Sequence, residues 1–272
     1  MDRPSASRQM VPEEELIEVK AFIDLFMIAP QTFVDQAEFR CMPLAGGCAI
    51  SLPSAPAIGL NRVLGIVAPE DLDMACEWMS KRAGRRYLQM NAATAPQRTH
   101  DWTRKRGLVA QGHGWAKLRR TAPSTPLIHS GEVATRQVNV TEAEIFGSMM
   151  CAGFHFPANL TPLWSAIVGK DGWSCFFAEL DGRPIATGAM YAADGFAWLG
   201  GGSTVPEFRN RGAQKALIAA RLNQGASQGV QTFVVETAQP SADEPNISHA
   251  NLIAAGFEQI YTRMNYRFPD DS

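Results

Sequence analysis

The sequence predicts an α/β protein of two tandem units. Its 272 residues exceed the usual size of one hydrophobic core. Short apolar runs alternate with segments of helical periodicity on both sides of Thr121-Ala122-Pro123-Ser124-Thr125-Pro126, a stretch that can neither pair as a sheet nor propagate a helix. The two sides also echo each other: Val67-Ala68-Pro69-Glu70 is similar to Thr204-Val205-Pro206-Glu207, and Lys105-Arg106-Gly107-Leu108 to Ala254-Ala255-Gly256-Phe257. A diverged duplication follows, with one unit over residues 1–130 and the other over 131–272.

Pro12 followed by Glu13, Glu14 and Glu15 starts a helix, because proline fits the first turn and acids complement the positive end of the dipole. Leu16, Val19, Phe22, Ile23, Phe26 and Met27 then recur as one apolar stripe. Residues 46–53 and 60–67 read as strands, 69–82 as a helix, 86–90 as a strand and 99–106 as a helix stopped by Gly107. In the second unit a strand over 132–138 precedes a helix capped by Thr141 with Glu144 at capping-box spacing. Residues 174–180 and 185–191 flank the hairpin turn Asp181-Gly182-Arg183-Pro184, and 196–205 supplies a third strand. A helix lies within 206–227, an almost continuous apolar strand spans 231–237, and Asn246 or Ser248 caps a last helix that Gly256 stops.

Composition narrows the function. A chain with 46% hydrophobic and 19% charged residues folds rather than remaining disordered. A net charge of -2 with dispersed basic residues gives nucleic acid no broad footprint, which also weighs against an aminoacyl-tRNA-dependent transferase. Cys41, Cys48, Cys76, Cys151 and Cys175 form no Cys-x-x-Cys pair, so a disulfide framework and a thiolate zinc site are both unexpected and a cytoplasmic setting fits. The five histidines show no ligand spacing, so no metal is expected. The opening residues 1–5 lead into no signal-peptide core, and 21–30 is too short to cross a bilayer, so no membrane role is expected.

The sharpest local signal is Arg209-Asn210-Arg211-Gly212-Ala213-Gln214, placed after an apolar strand and opening a helix. Unpaired N–H groups at a helix start receive phosphate oxygens, Gly212 lets a diphosphate approach the main chain, and Arg209 and Arg211 add positive charge. Gly200-Gly201-Gly202-Ser203-Thr204, by contrast, lacks the Gly-Lys-Ser/Thr of a nucleotide loop and reads as a strand with close backbone approach.

At these residues the chain resembles the GNAT superfamily of N-acetyltransferases, whose signature is Arg or Gln, two residues, Gly, one residue, then Gly or Ala. Arg209 and Gly212 match, and Gln214 departs from the last small residue. The likeness spans residues 132–268, including Arg221 and the closing Asn251-Leu252-Ile253-Ala254-Ala255-Gly256-Phe257. It implies two acyl-CoA N-acyltransferase-like units, each a mixed, mostly antiparallel twisted sheet flanked by helices. It further implies an acetyl-CoA-dependent transferase that acetylates an amine of a small molecule or peptide directly.

By the same resemblance the coenzyme is held from Thr204 and Val205 through Arg209, Arg211, Gly212, Ala213 and Gln214. A backbone N–H near Val205 serves the oxyanion, and the strands splay after Val205 and Glu236. Asn246 and Asn251 bond the pantetheine amides, or Asn251 is a plain helix-surface amide. Glu236 is the general base or a structural carboxylate bonded to the loop, and His155 is a second proton acceptor or a packed residue. Leu252 occupies the place where many members carry a thiolate-protonating tyrosine, which keeps open a non-catalytic acyl-CoA-binding regulatory module. Trp164, Trp173 and Trp198 line an apolar pocket or fill core. The first unit places Glu70, Asp71 and Asp73 where phosphates would sit, so it is expected not to bind CoA and instead to shape the acceptor cleft.

Overall fold

A computed structural model of the chain describes residues 11–269; residues 1–5, with their signal-peptide reading, lie outside the described residues. Helix α1 (Glu13–Ile28) and the short α2 (Gln31–Gln36) lead into the hairpin β1 (Arg40–Leu44) and β2 (Gly47–Ser51). Strand β3 (Asn61–Leu64), α3 (Pro69–Ser80), β4 (Tyr87–Asn91), α4 (Gln97–Lys105) and the long β5 (Val109–Thr121) complete the first half. The second half runs β6 (Ala134–Gln137), α5 (Ala143–Phe154), α6 (Thr161–Ser165), β7 (Trp173–Leu180), β8 (Arg183–Ala193) and β9 (Phe196–Thr204). It ends with α7 (Ala213–Ser227), β10 (Thr232–Ala238), α8 (Ile247–Ala254) and β11 (Glu258–Arg267).

All eleven strands join one twisted sheet in the order β1-β2-β3-β4-β11-β5-β10-β9-β8-β7-β6. Each half contributes an antiparallel meander, then a parallel pair bridged by a helix (β3-α3-β4 and β9-α7-β10), then a helix and a final strand. Apart from β6, which adds an edge strand to the second meander, the halves therefore repeat one strand order, and the architecture is two tandem acyltransferase-like folds. Their final strands are exchanged: β5 pairs with β10 of the second half, and β11 pairs with β4 of the first. The two exchanged strands pair with each other at the centre. Among the described residues no helix is long and apolar enough to cross a membrane.

Alternation along the strands sorts the core into two layers. Val234 packs with Phe22 and Leu25 of α1 and with Phe146 and Met150 of α5, whereas Phe233 and Val235 pack with Ile218 and Leu222 of α7 and Leu252 of α8. Glu236, two residues after Val234, faces the α1 side.

Several local expectations change. The capping box is Asn139 with Glu142, not Thr141 with Glu144, because a single turn at Val140–Glu142 precedes α5. Strand β1 was not expected: it carries Pro43, which only an edge strand tolerates, and β1 is the edge. The segment after Pro206 is a short turn, and the helix itself starts at Ala213. The Asp181-Gly182 turn has both residues at positive φ (52° and 74°), the geometry of a tight hairpin. The linker is pinned rather than loose, since Asn223 of α7 accepts from Leu127 N (2.8 Å) and donates to its carbonyl (2.9 Å).

Candidate functional site

The parallel pairing of β9 and β10 ends at Trp198 and Val234, so the strands part well before Val205 and Glu236, where the splay was expected. Part of the cause lies in β9. Thr187 faces Ser203 and Ala189 faces Gly200, so Gly201 and Gly202 together oppose Gly188 in a bulge, with Gly201 at φ +58°. The N–H of Val205 is spent on Ile185 O (3.0 Å), which removes it as an oxyanion donor and leaves the glycine bulge as the irregular backbone at the gap.

On the α7 side of this gap lies a groove of about 560 Å³. Gly212, at φ +85°, is the N-cap of α7, and no side chain caps the helix, so its first N–H groups are open. A Cβ at Gly212 would meet only the His129 ring, 3.6 Å away, so the cradle is clear of backbone. Thr204, Arg209, Gly212, Ala213, Gln214 and Asn251 all line the groove, joined by Lys215, which the sequence reading passed over. Arg209 is exposed beside Gly153 O (3.5 Å). Arg211 and Val205 do not line the groove; the Arg211 guanidinium sits 6.0 Å from the Phe208 ring centroid. Gln214 donates to Ser248 Oγ and accepts from Asn251, both at 2.7 Å, which ties α7 to α8. The Asn246 side chain caps α8 through Ser248 N and His249 N and donates to Thr237 Oγ1 and Ala238 O, so its amide is fully used within the fold.

Across the gap the groove continues into a second space of about 410 Å³ on the α1 side, and Gly202, Gln214, Arg221, Thr237 and Ser248 line both. Its walls are aromatic: Phe22, Trp115, Trp164, Trp173 and Trp198 among them, with Ile58, Gly59 and Arg62 supplied by the first half. Glu236 stands at its floor, where Trp198 Nε1 donates to both carboxylate oxygens at 3.0 Å. His155 is exposed at φ +56° as the left-handed C-cap of α5 and lines neither space.

Beneath Glu236 lies a charge cluster the sequence reading missed. Glu18 of α1, fully buried, receives Arg62 (2.6 Å), Lys117 (2.7 Å) and Arg263 (2.9 Å). Burial pushes its carboxyl upward, but the three cations outweigh burial and hold it well below the usual range. Glu236 fares differently because Lys117 and Arg263 stand 3.5 and 3.8 Å away, turned toward Glu18. Burial, reinforced by the Glu18 charge and only partly offset by Lys117 and Arg263, raises Glu236 to about 7. A buried carboxyl that exchanges its proton near neutrality, at the floor of a cavity, has the properties of a general base.

Likeness to known proteins bears on the family and the fold. Residues 147–247 match the family described as Acetyltransferase (GNAT) family. This segment, from α5 to the start of α8, is the part of the chain that is similar to the GNAT family. It contains the bulged strand, the open helix start and Glu236. No curated protein matches the chain. Among solved structures, an N-acetyltransferase from Kribbella flavida is similar at TM-score 0.62 and 14% identity, covering 97% of this chain and 98% of its own. A putative acetyltransferase of the GNAT family from Novosphingobium aromaticivorans gives TM-score 0.55 at 16% identity, with 91% and 99% covered. A tandem GNAT protein from the clavulanic acid biosynthesis pathway gives 0.54 at 14% identity, with 93% and 96% covered. At such identities these likenesses concern the fold, and they extend the GNAT architecture over both halves. Among the described residues no three His, Cys, Asp or Glu side chains gather as a metal site would require.

Proposed function

We propose that the protein transfers an acetyl group from acetyl-CoA directly to an amine, as an acyltransferase of the GNAT family. The observation that carries this reading is a continuous passage. A groove beneath an uncapped helix start leads through the β9–β10 gap to an aromatic cavity floored by a carboxyl with a pKa near neutrality. The diphosphate takes the open N–H groups from Ala213 onward, with Arg209 and Lys215 as counter-charges and Arg211 adding charge from the loop's outer side. The pantetheine arm passes Thr204, Gln214 and Asn251, while Asn246 acts by holding α8 in place. The thioester lies at the glycine bulge.

The acceptor's ammonium, with a pKa near ~10, gives a proton to solvent before attack, and Glu236 takes the proton that the nitrogen sheds as it bonds to the carbonyl. Exposed outside both spaces, His155 is the weaker candidate. Aromatic walls with a single carboxylate favour a small acceptor whose amine sits on an apolar frame, and the first half contributes one wall of its cavity rather than a second CoA site. The chain divides into functional units near Ser130, as the linker suggested, with the exchanged strands crossing that division.

Calorimetry with acetyl-CoA tests the cofactor. Arg209→Glu is expected to weaken binding roughly tenfold or more, and Arg211→Glu by less, since only Arg209 faces the groove. Equal, undiminished affinity in both variants would displace the diphosphate from this loop. Release of free thiol with a panel of small amines separates transfer from a module that binds acyl-CoA without reacting.

A further inference from the structure

Arg221 of α7 packs against the sheet and is 4% exposed. Its Nε donates to Leu217 O (3.0 Å), and its Nη1 donates to Ala189 O and Gly200 O (3.1 Å each). The last two carbonyls flank the β9 bulge, so one edge of the guanidinium is spent on backbone. Nη2 has no hydrogen-bond partner among the described residues. It points past Gly202, where a Cβ would stand 3.5 Å from it. Unlike Arg62, Lys117 and Arg263, which all reach Glu18, this cation has no acid beside it. Burial alone acts on it, drawing its pKa down to about 10, and it remains charged at neutral pH.

Its position matters as much as its isolation. Arg221 lines both the groove and the aromatic cavity, and it approaches the gap from the α7 side, whereas Glu236 approaches from the α1 side. Neither space is lined by a tyrosine or a cysteine that could protonate a leaving sulfur. A buried cation with an idle donor facing a ligand-sized space is placed for negative charge that appears only during reaction.

We infer that Arg221 Nη2 receives the sulfur of the departing CoA thiolate and holds it as an ion pair. The inference rests on the acetyl-CoA reading above. The amine lone pair forms the new C–N bond at the thioester carbonyl, and the carbonyl π pair moves to oxygen. That pair returns as the C–S bond breaks, leaving its electrons on sulfur beside Arg221. The ammonium proton passes to Glu236 on the opposite face of the sheet. Products are the amide, protonated Glu236 and the paired thiolate. Passage of that proton to sulfur through solvent then restores Glu236 and frees CoA as the thiol. The guanidinium keeps its protons throughout.

The thiol of bound CoA reports on this directly, without an acceptor. Thiolate absorbance is titrated against pH for CoA on the intact protein, with desulfo-CoA as the spectral blank. On the wild type the thiol is expected to titrate about one pH unit or more below free CoA, a tenfold gain in acidity from a starting value near ~8.5. Arg221→Met is expected to abolish the shift while CoA affinity stays within about threefold, and Arg221→Lys to keep part of it, since the ammonium restores charge. Should Arg221→Met fail to fold for want of its bulge contacts, the wild type and Arg221→Lys remain decisive. CoA binding with an unshifted thiol in the wild type, or a shift that survives in Arg221→Met, overturns the inference alone. Refusal of CoA by the wild type overturns the parent reading with it.

Discussion

Replacing Glu18 by glutamine removes the negative centre of the buried cluster and leaves Arg62, Lys117 and Arg263 to face Glu15 and Glu236 alone. All three cations and Glu18 itself are at most 1% exposed, so water cannot take over the lost contact. Breaking a buried pair in this way costs about 3–5 kcal/mol. At about 2 °C per kcal/mol for a chain of this size, the melting point falls by roughly 6–10 °C. The same change reaches the site. Glu18 is the second reason, after burial, that Glu236 holds its proton, and its removal frees Lys117 and Arg263 to turn toward Glu236. The acid limb of the pH–rate profile therefore moves below its wild-type position near 7. Urea denaturation followed by circular dichroism, with kcat/KM measured across pH 5–9, gives both numbers. A stability loss under about 1 kcal/mol, or an acid limb that stays in place, refutes the charge assignment.

Glu236→Gln is expected to lower kcat on the order of 10²-fold with CoA affinity unchanged, and to abolish the acid limb; an unchanged rate places the base elsewhere. Stability carries its own signature. The folded pKa of Glu236 is about 7 against 4.5 unfolded, so between these values the folded state binds more protons. Its contribution is present below pH 4.5 and is lost as pH rises through 7, to an extent of about 3 kcal/mol. The glutamine variant removes this component of the pH dependence, as equilibrium denaturation at pH 5 and pH 8 will register. Gly225→Ala places a Cβ 2.4 Å from the Phe233 ring, within the contact between α7 and β10, and is expected to cost about 1–3 kcal/mol by thermal melting. A neutral outcome there would mean the helix stands farther from the sheet.

What the sequence made legible and what it hid divide along physical lines. Strands buried on both faces read clearly, as in Phe233-Val234-Val235, and the hairpin turn at Asp181-Gly182 declared itself by residue type. The turn and uncapped helix start at Gly212 were legible because glycine and arginine ahead of a helix have a local meaning. Strands β5 and β11 went unassigned because their inward faces carry Lys117, Arg263 and Asn265 in place of apolar residues, so no alternating pattern marks them. The charge cluster was hidden for the same reason: Glu18 and Arg263 are 245 residues apart in the chain, and only the exchange of strands brings them together. Glu236 was singled out by its place just after the apolar run Phe233-Val234-Val235. The cause of its raised pKa lay in residues that no local motif connects.

The exchanged strands have a consequence for how this molecule could have been inherited. A fragment ending at Ser130 would carry β5 with neither of its neighbours, and its own sheet would end at β4 without β11. The complementary fragment would keep Glu236 but lack Lys117 and the α1 carboxylates that set its charge environment. Because each half's sheet is completed by the other half's last strand, neither half would keep its sheet neighbours if moved alone into another gene. A change in α1 or β5 of the first half is therefore felt at Glu236 in the second, and the two halves constrain each other's sequence.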